Sequence, residues 1–430
     1  MRRTTTLLTL ACAMGAIAQA LELGSPLPGA AIRDTLSPIV RDLPRDSLDA
    51  VRERRQLARE ALSGLRDSVG RPLGIEVDRA GLIERMPDGT RAVRGEILAT
   101  APSAASEALW EAEGLEIVRR DVLEPLGIDL VVLRGPDSRS GQDLLARLRQ
   151  IDPSGSYDLN HLYDPSGDTM AAAAALAPSP GECDDCRIGA VDSGADTEHD
   201  ALSRARIEQQ AFAGGHVLPS QHGTAIAALL VGRKGAARGA RLFLADIYGG
   251  KADGGSAESI ARALAWLASE RTPVVTLSLA GPPNAVLEAA IEAMISRGHV
   301  VIAAVGNGGP AAPAAYPAAY PGVIGVTAID AAGRIAVDAQ RGPAVAFAAY
   351  GVHLTTARFG GGEAEISGTS FAAPRVAARA ALLATDVVPG NSEVVRAALQ
   401  SQAIDLGAPG RDDIFGYGAL EPLQLTASAP

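Results

Sequence analysis

Rings are scarce in this chain of 430 residues: Phe, Trp and Tyr together make up 3%. Any core must therefore be built from small and aliphatic side chains, which bring the hydrophobic share to 47%. Lysine is nearly absent. Only Lys234 and Lys251 occur among 39 basic residues, the rest being Arg. The 50 acidic residues leave a net charge of −11 with no basic block, which excludes a nucleic-acid-binding face. A bilayer span needs about 20 consecutive apolar residues, and no segment has them. The hydrophobic share and 21% charged residues argue against wholesale disorder. At about 100–200 residues per domain, the length predicts two or three folding units.

The N-terminus reads as a secretory leader over residues 1–20. Arg2 and Arg3 precede a mostly apolar or small stretch, and Ala18-Gln19-Ala20 has the small-x-small form of a cleavage site. The chain is thus expected to be exported, either secreted or periplasmic. Cysteine is the other rarity, with three residues. Cys12 falls in the leader, where Thr9-Leu10-Ala11 is a poor lead-in for lipid attachment. Cys183 and Cys186 remain as a CxxC pair, which admits a redox pair, half a zinc site or a short structural disulfide. Zinc lacks a second ligand pair, and a redox pair usually opens a helix after a strand, whereas this one precedes a strand-like run. In an exported chain the structural disulfide leads.

Residues 21–90 are polar and Arg-rich. Within them 46–68 reads as an amphipathic helix, with Leu48, Val51, Ala58, Leu62 and Leu65 near helical spacing and no chemistry attached. Residues 91–163 alternate as strand (Val93 to Leu98), helix (Ser103 to Glu113), two strands (Glu116 to Val122, Ile128 to Leu133), helix (Gly141 to Gln150) and strand (Ser156 to Tyr163). That β-α-β-β-α-β order is ferredoxin-like. Residues 164–182 read as a linker ending in Pro178-Ser179-Pro180-Gly181. From there to 430 the pattern becomes one of strands (187–192, 241–247, 273–279, 299–305, 322–328) alternating with helices (222–232, 256–270, 284–297, 370–384). This predicts an α/β domain: a parallel sheet with helices on both faces and active groups beyond the strands' carboxyl ends.

Four motifs there carry chemistry, and each has a bland reading. Asp192 ends the run Ile188-Gly189-Ala190-Val191, where a carboxylate often just caps a turn. His222, in Gln221-His222-Gly223-Thr224, stands at the mouth of an apolar helix, where a lone histidine is commonly structural. Asn307, in Val305-Gly306-Asn307-Gly308, is typical of a turn. Ser370, in Gly368-Thr369-Ser370-Phe371-Ala372-Ala373-Pro374, could be a helix cap, with Pro374 in the first turn.

Taken together, in the order Asp, His, Asn, Ser, these motifs resemble the subtilisin-like serine peptidases, the subtilases. The Asp…His…Ser order differs from that of other serine hydrolases. The resemblance implies a peptide-bond hydrolase with Ser370 as nucleophile, His222 as general base and acid, Asp192 as its orienting carboxylate, and Asn307 as an oxyanion donor. It also implies substrate binding along Ser278, Leu279, Ala280 and Gly281, and a first specificity pocket walled by Ala303, Ala304 and Gly306. Such small walls leave room for a sizeable apolar residue before the cut. Val305 departs from the Ala-Ala-Gly-Asn that the family often has. The family needs no cofactor. It often carries structural calcium, but no acidic loop here matches a calcium site, and Asp246–Asp253 reads as solvated surface.

Residues 91–163 resemble the family's inhibitory propeptide, which blocks the cleft with its last strand. The expected partners are therefore a polypeptide substrate and the chain's own propeptide, and self-cleavage is expected after Tyr163. One rival is a catalytically inactive peptide-binding protein. The other, a nucleotide-binding protein, lacks a phosphate-binding Gly loop.

Overall fold

The computed structural model describes residues 81–136, 139–170, 182–251 and 254–423. The expected leader, the 46–68 helix, Cys12, Asp253 and the stretch 171–181 of the expected linker lie outside these residues.

The first strands are β1 (Ile83–Arg85), β2 (Arg91–Thr100), β3 (Glu116–Leu123), β4 (Ile128–Arg134) and β5 (Ser156–His161), with helices α1 (Ala104–Ala112) and α2 (Gly141–Ile151) between them. The antiparallel pairings β5-β2, β2-β4 and β4-β3 give the ferredoxin-like strand order. The unit begins earlier than position 91: β1 folds back onto β2 through the turn closed by Met86 N–H and the Thr90 carbonyl. Residues 83–85 therefore belong to this sheet and not to the helical region expected over 21–90.

Both faces of the sheet are apolar, for different reasons. Ile97, Ala99, Val131 and Leu133 face one core with Trp110 of α1 and Leu144 and Leu148 of α2. The alternate residues Leu98, Leu130 and Val132 face the second domain and share a core with Ile260, Leu264, Val286 and Leu287. Period-two alternation sends neighbours to opposite faces, so one strand serves two cores.

That second domain is built on a seven-stranded sheet. Its strands are β8 (Arg187–Asp192), β9 (Arg206–Ala211), β10 (Arg241–Asp246), β11 (Val274–Leu277), β13 (Val300–Ala304), β14 (Ile324–Ile329) and β15 (Val345–Tyr350). Their order is β15-β14-β13-β11-β8-β10-β9, all parallel. Helices α3 (Gln221–Val231), α4 (Ala257–Ser269), α5 (Ala285–Arg297), α6 (Thr369–Ala381) and α7 (Asn391–Gln402) complete it. Residues of α3 and α6 join one core, and those of α4 and α5 join the other. Helix α6 is buried all round. Ala372, Ala373, Ala377, Ala378, Ala380 and Ala381 have no exposed surface, so the small side chains at these six positions let the helix pack closely against the sheet and α3.

Short strands complete the chain: β6 (Asp164–Pro165), β7 (Asp168–Met170), β12 (Leu279–Ala280), β16 (Leu354–Ala357) and β17 (Glu363–Ser367). β6 pairs with β12, and β7 joins the β16–β17 hairpin. Part of the expected linker is thus paired strand, because its backbone finds two sheet edges to bond.

The ferredoxin-like unit docks on two helix N-termini, where backbone N–H groups lack partners within the helix. Asp158 Oδ2 accepts from Ala285 N–H at the head of α5, 2.8 Å, placing a carboxylate at the positive end of a helix dipole. Asn160 Oδ1 accepts from Glu258 N–H at the head of α4, 3.1 Å. Asn284, the cap of α5, donates its Nδ2 to the Leu159 carbonyl, 2.8 Å. Arg119 pairs with Glu258 across the same boundary. His161 is buried here beside Asn284 Nδ2, 3.2 Å. Burial holds its imidazole below the ordinary value; Asp158 and Asp88 oppose this shift and Arg149 adds to it.

Two outcomes follow from this packing. Replacing Ala377 by Leu overfills the space around α6 and lowers stability by about 1–3 kcal/mol, measured as a lower denaturant midpoint at unchanged slope. For His161, undocking restores an ordinary imidazole that binds protons more readily than the docked one. Docking is therefore at full strength above about pH 6.5 and weakens as pH falls through the lowered value. Size-exclusion chromatography of protein nicked between the two domains should show the ferredoxin-like unit leaving more readily at pH 5.5 than at pH 7.5. Equal retention at both, or the same loss in His161→Gln, contradicts this.

Candidate active site

Three elements deliver the candidate triad: the carboxyl end of one strand and the heads of two helices. Asp192 is the last residue of β8, a central strand of the sheet. His222 is the second residue of α3, whose first N–H groups are capped by Ser220 Oγ. Ser370 is the second residue of α6.

The three side chains form a hydrogen-bonded line. His222 Nδ1 is 2.9 Å from both carboxylate oxygens of Asp192. His222 Nε2 is 3.0 Å from Ser370 Oγ. Asp192 also accepts from Ser193 N–H, 2.8 Å, and Ser193 Oγ–H, 3.0 Å, which fixes its plane. An ionised carboxylate only accepts, so Nδ1 carries the proton and Nε2 of the neutral ring is left to accept from the serine hydroxyl. The Phe371 ring lies 5.0 Å from the imidazole and limits its tilt.

Gly223 makes the first contact in this line feasible. A Cβ there would stand 2.2 Å from the Ser193 carbonyl oxygen and 2.4 Å from that of Gly194. Only glycine lets the head of α3 rest on the backbone that follows Asp192.

At the head of α6, Thr369 N–H donates to Asn307 Oδ1, 3.1 Å, which turns the Asn307 NH2 group the other way. Ser370 N–H donates to the Ser166 carbonyl, 2.9 Å. A Cβ built on Gly368 would find Ser166 O at 2.8 Å and Asn307 Nδ2 at 2.9 Å, so both border one small space. A Cβ on Gly167 would lie 2.5 Å from Ser370 Oγ. The Ser166–Gly167 peptide bond therefore lies against the serine hydroxyl, its oxygen toward the helix head. Ser370 has no exposed surface because the chain's own segment covers it.

Pro374 stands within α6, beyond the expected first turn. Proline has no N–H to give to the carbonyl four residues back, which is that of Ser370. Ser278 Oγ–H supplies the missing donor, 2.9 Å. Ser278 thus supports the backbone of Ser370.

The covering segment is held along the edge expected to bind substrate. The Ser278 carbonyl accepts from Ser166 N–H, 3.2 Å. Leu279 and Ala280 pair with Pro165 and Asp164. Tyr163 N–H donates to the Gly255 carbonyl, 2.9 Å, on the opposite side. The Tyr163 side chain is buried against Gly281, where a Cβ would come within 2.4 Å of the ring, and its hydroxyl donates to the Pro282 carbonyl, 2.8 Å. Burial raises that hydroxyl's pKa well above the ordinary value. The expected cut after Tyr163 does not match this geometry: Tyr163 is an anchor, and the bond at Ser370 is three residues further on.

Ala303 and Ala304 are fully buried in the cores on opposite faces of the sheet. Gly306 has φ +100° and packs against Gln340, whose carboxamide would meet a Cβ there at 1.8 Å. Asp246 is not solvated surface. It is fully buried and accepts from the N–H groups of Leu218, Tyr248 and Gly249 at 2.8–3.0 Å, fixing two loops. Cys183 and Cys186 are joined in a disulfide ahead of β8. Among the described residues no group of three or more His, Cys, Asp or Glu is placed to hold a metal, and no helix is long and apolar enough to cross a membrane.

A parallel α/β sheet presenting an Asp–His–Ser line beside helix-head N–H groups defines the class: a serine hydrolase. The subtilase family model, Peptidase_S8, matches residues 184–418. Subtilisin BL of Lederbergia lenta is 35% identical over 205 residues, 46% of this chain and 74% of that protein. The minor extracellular protease Epr of Bacillus subtilis (strain 168) is 31% identical over 252 residues, covering 56% of this chain and 39% of Epr, so the match spans about two fifths of that relative. The crystal structure of fervidolysin from Fervidobacterium pennivorans, described as a keratinolytic enzyme related to subtilisin, shares the fold with a TM-score of 0.65 at 19% identity. That superposition covers 78% of this chain and 61% of fervidolysin. The chain belongs to the subtilase family, peptidase family S8, whose members are serine-type endopeptidases and need no cofactor for catalysis.

Gly223→Ala should push α3 away from Ser193 and lengthen the Asp192–His222 contact. A displacement near 1 Å is expected to cost about a hundredfold in kcat/KM. An assay on a small ester, with circular dichroism to show that the fold persists, checks this; activity within threefold of the parent would contradict it.

Proposed function

We propose that this chain is an exported serine endopeptidase, made as a zymogen whose first substrate is its own Ser166–Gly167 bond. The observation that carries the reading is the coincidence at Ser370. Its Oγ is 3.0 Å from His222 Nε2 while its N–H holds the Ser166 carbonyl at 2.9 Å.

In this reading His222 Nε2 takes the hydroxyl proton as Ser370 Oγ bonds to the Ser166 carbonyl carbon. Asp192 keeps the imidazole in the right tautomer and balances the charge it gains. Negative charge builds on the Ser166 oxygen, where the Ser370 N–H and the Asn307 NH2 group oppose it. For subtilisin, which is the general template for such a site, loss of the corresponding Asn costs about 10²–10³ in turnover. The C–N bond then breaks, and His222 returns the proton to the Gly167 amine. Water repeats the sequence on the acyl-enzyme and releases a carboxylate at Ser166.

The segment from Gly81 through Ser166 is then more than a tether: the ferredoxin-like unit and β5–β6 serve as an intramolecular inhibitor held by the docking contacts. The seating of Tyr163 supports a preference for a large aromatic residue four positions before the cut, with a small residue such as Ser at the cut itself. The leader sequence and the extracellular naming of Epr support export to a secreted or periplasmic location.

Refolded wild-type chain should yield a mature protein whose N-terminal sequence starts Gly167-Asp168-Thr169, while Ser370→Ala stays uncut. A mature N-terminus at Asp164 would restore the cut after Tyr163. A wild-type chain that stays as intact as Ser370→Ala would favour a peptide-binding protein without activity.

A further inference from the structure

A cavity of about 590 Å3 lies between the chain leading into β14 and the chain leading into β15, with α7 and the 411–417 loop contributing to its wall. That volume is within the range of small-molecule sites, about 300–1,000 Å3. It is separate from the cleft. Ser278–Gly281, Asn307 and Ser370 do not line it.

The charge of this cavity has one sign. Arg341, Arg396 and Arg411 line it from three separate segments. Among the described residues no Asp or Glu lines it, although the chain carries a net charge of −11. Arg396, half-buried on α7, donates from Nη2 to the carbonyls of Gly322, 3.0 Å, and Val323, 3.2 Å. These neutral acceptors aim the guanidinium without neutralising it. Its Nε and Nη1 have no acceptor among the described residues. Burial pulls the guanidinium below the ordinary arginine value, and Tyr417 and Glu393 oppose that shift. A half-buried charge with no counter-ion is a state that a bound anion relieves. Arg411 is held by the carbonyls of Pro343, 2.7 Å, and Val345, 3.2 Å, and meets Asp413 at 3.3 Å. Arg341 is exposed and makes no ion pair among the described residues.

Between the arginines the wall is apolar. It includes buried Ala318, Val323, Val345 and Ala346. A guanidinium fork matches the two oxygens of a carboxylate. The wall suits an apolar body behind that carboxylate, and it offers few donors to the further oxygens of a phosphate. We infer that this cavity binds small carboxylates with an apolar or aromatic body, the carboxylate resting on Arg396. Free organic acids and the C-termini of short peptides share that chemistry.

The test uses the full chain carrying Ser370→Ala, in which the covering segment fills the cleft. Phenylacetate, acetyl-Ala-Phe and acetyl-Ala-Phe amide are titrated by calorimetry, with inorganic phosphate as the competing anion. Both acids should bind, and the amide and phosphate at least about tenfold more weakly, the loss expected for charge-assisted hydrogen bonds. Arg396→Gln should weaken both acids about tenfold. Arg341→Gln, which breaks no ion pair, should weaken them about threefold at low salt, with the fold intact by circular dichroism. Tighter binding of acetyl-Ala-Phe than of phenylacetate supports a peptide C-terminus as the ligand, and equal or weaker binding supports a free acid. No binding of either acid at about 10 mM overturns the inference. So does phosphate or the amide binding as tightly as the acids, or acid binding that neither arginine substitution weakens. None of these outcomes bears on the peptidase reading, because the cleft takes no part.

Discussion

The head of helix α6 leaves backbone N–H groups that no residue of the helix can satisfy, and the site is arranged around what fills them. Thr369 N–H goes to Asn307 and Ser370 N–H goes to the Ser166 carbonyl. A helix start is a ready site for negative charge, because its N–H groups and dipole point the same way. Ser370 is the second residue of that helix, so under the proposed function the nucleophile and one oxyanion donor are on a single residue. Proline four residues later frees the Ser370 carbonyl, and Ser278, beside the strand that pairs with the covering segment, donates to it. Strand, helix head and covering segment are thereby coupled through single hydrogen bonds.

Close approach explains the composition. Helix α6 passes through the core lined with alanines, and α3 meets the chain after Asp192 through Gly223. Larger side chains at those alanine and glycine positions would hold these helices away from the sheet. The few rings present fill larger spaces: Trp110 and Tyr157 in the ferredoxin-like unit, and Tyr163 against Gly281. The same economy governs the interface between the units, where Leu98, Leu130 and Val132 supply the apolar face and two helix heads supply the polar contacts.

The candidate site was legible because its residues sit in short motifs with steep geometric demands: a strand-end Asp, a Gly after the His, a helix opening at the Ser. The β-α-β-β-α-β succession was legible from short apolar runs such as Leu130-Val131-Val132-Leu133, continuous because the strand serves two cores. What escaped had no such signature. β9 is a half-exposed edge strand reading Arg-Ile-Glu-Gln-Gln-Ala, with no apolar run to announce it. β15, Val-Ala-Phe-Ala-Ala-Tyr, and the short β16–β17 hairpin are strands by virtue of neighbours distant in sequence. The cut is expected after Tyr163 because residues 91–163 resemble the family's inhibitory propeptide, and a resemblance carries no register. Only the register of β6 on β12 shows that Tyr163 anchors the segment and leaves Ser166 at the hydroxyl. Asp246 looked like surface for a related reason: its three donors are backbone N–H groups, invisible to composition.

Under the proposed function, Ser370 is blocked by its own chain until Ser166–Gly167 is cut, and is open afterwards. A fluorescent fluorophosphonate added to wild-type protein during refolding, with samples resolved by size, reads this directly. Label should enter only the cut catalytic fragment, in step with its formation. Label on the uncut chain, at the rate seen for the mature enzyme, would show that the segment does not occupy the cleft.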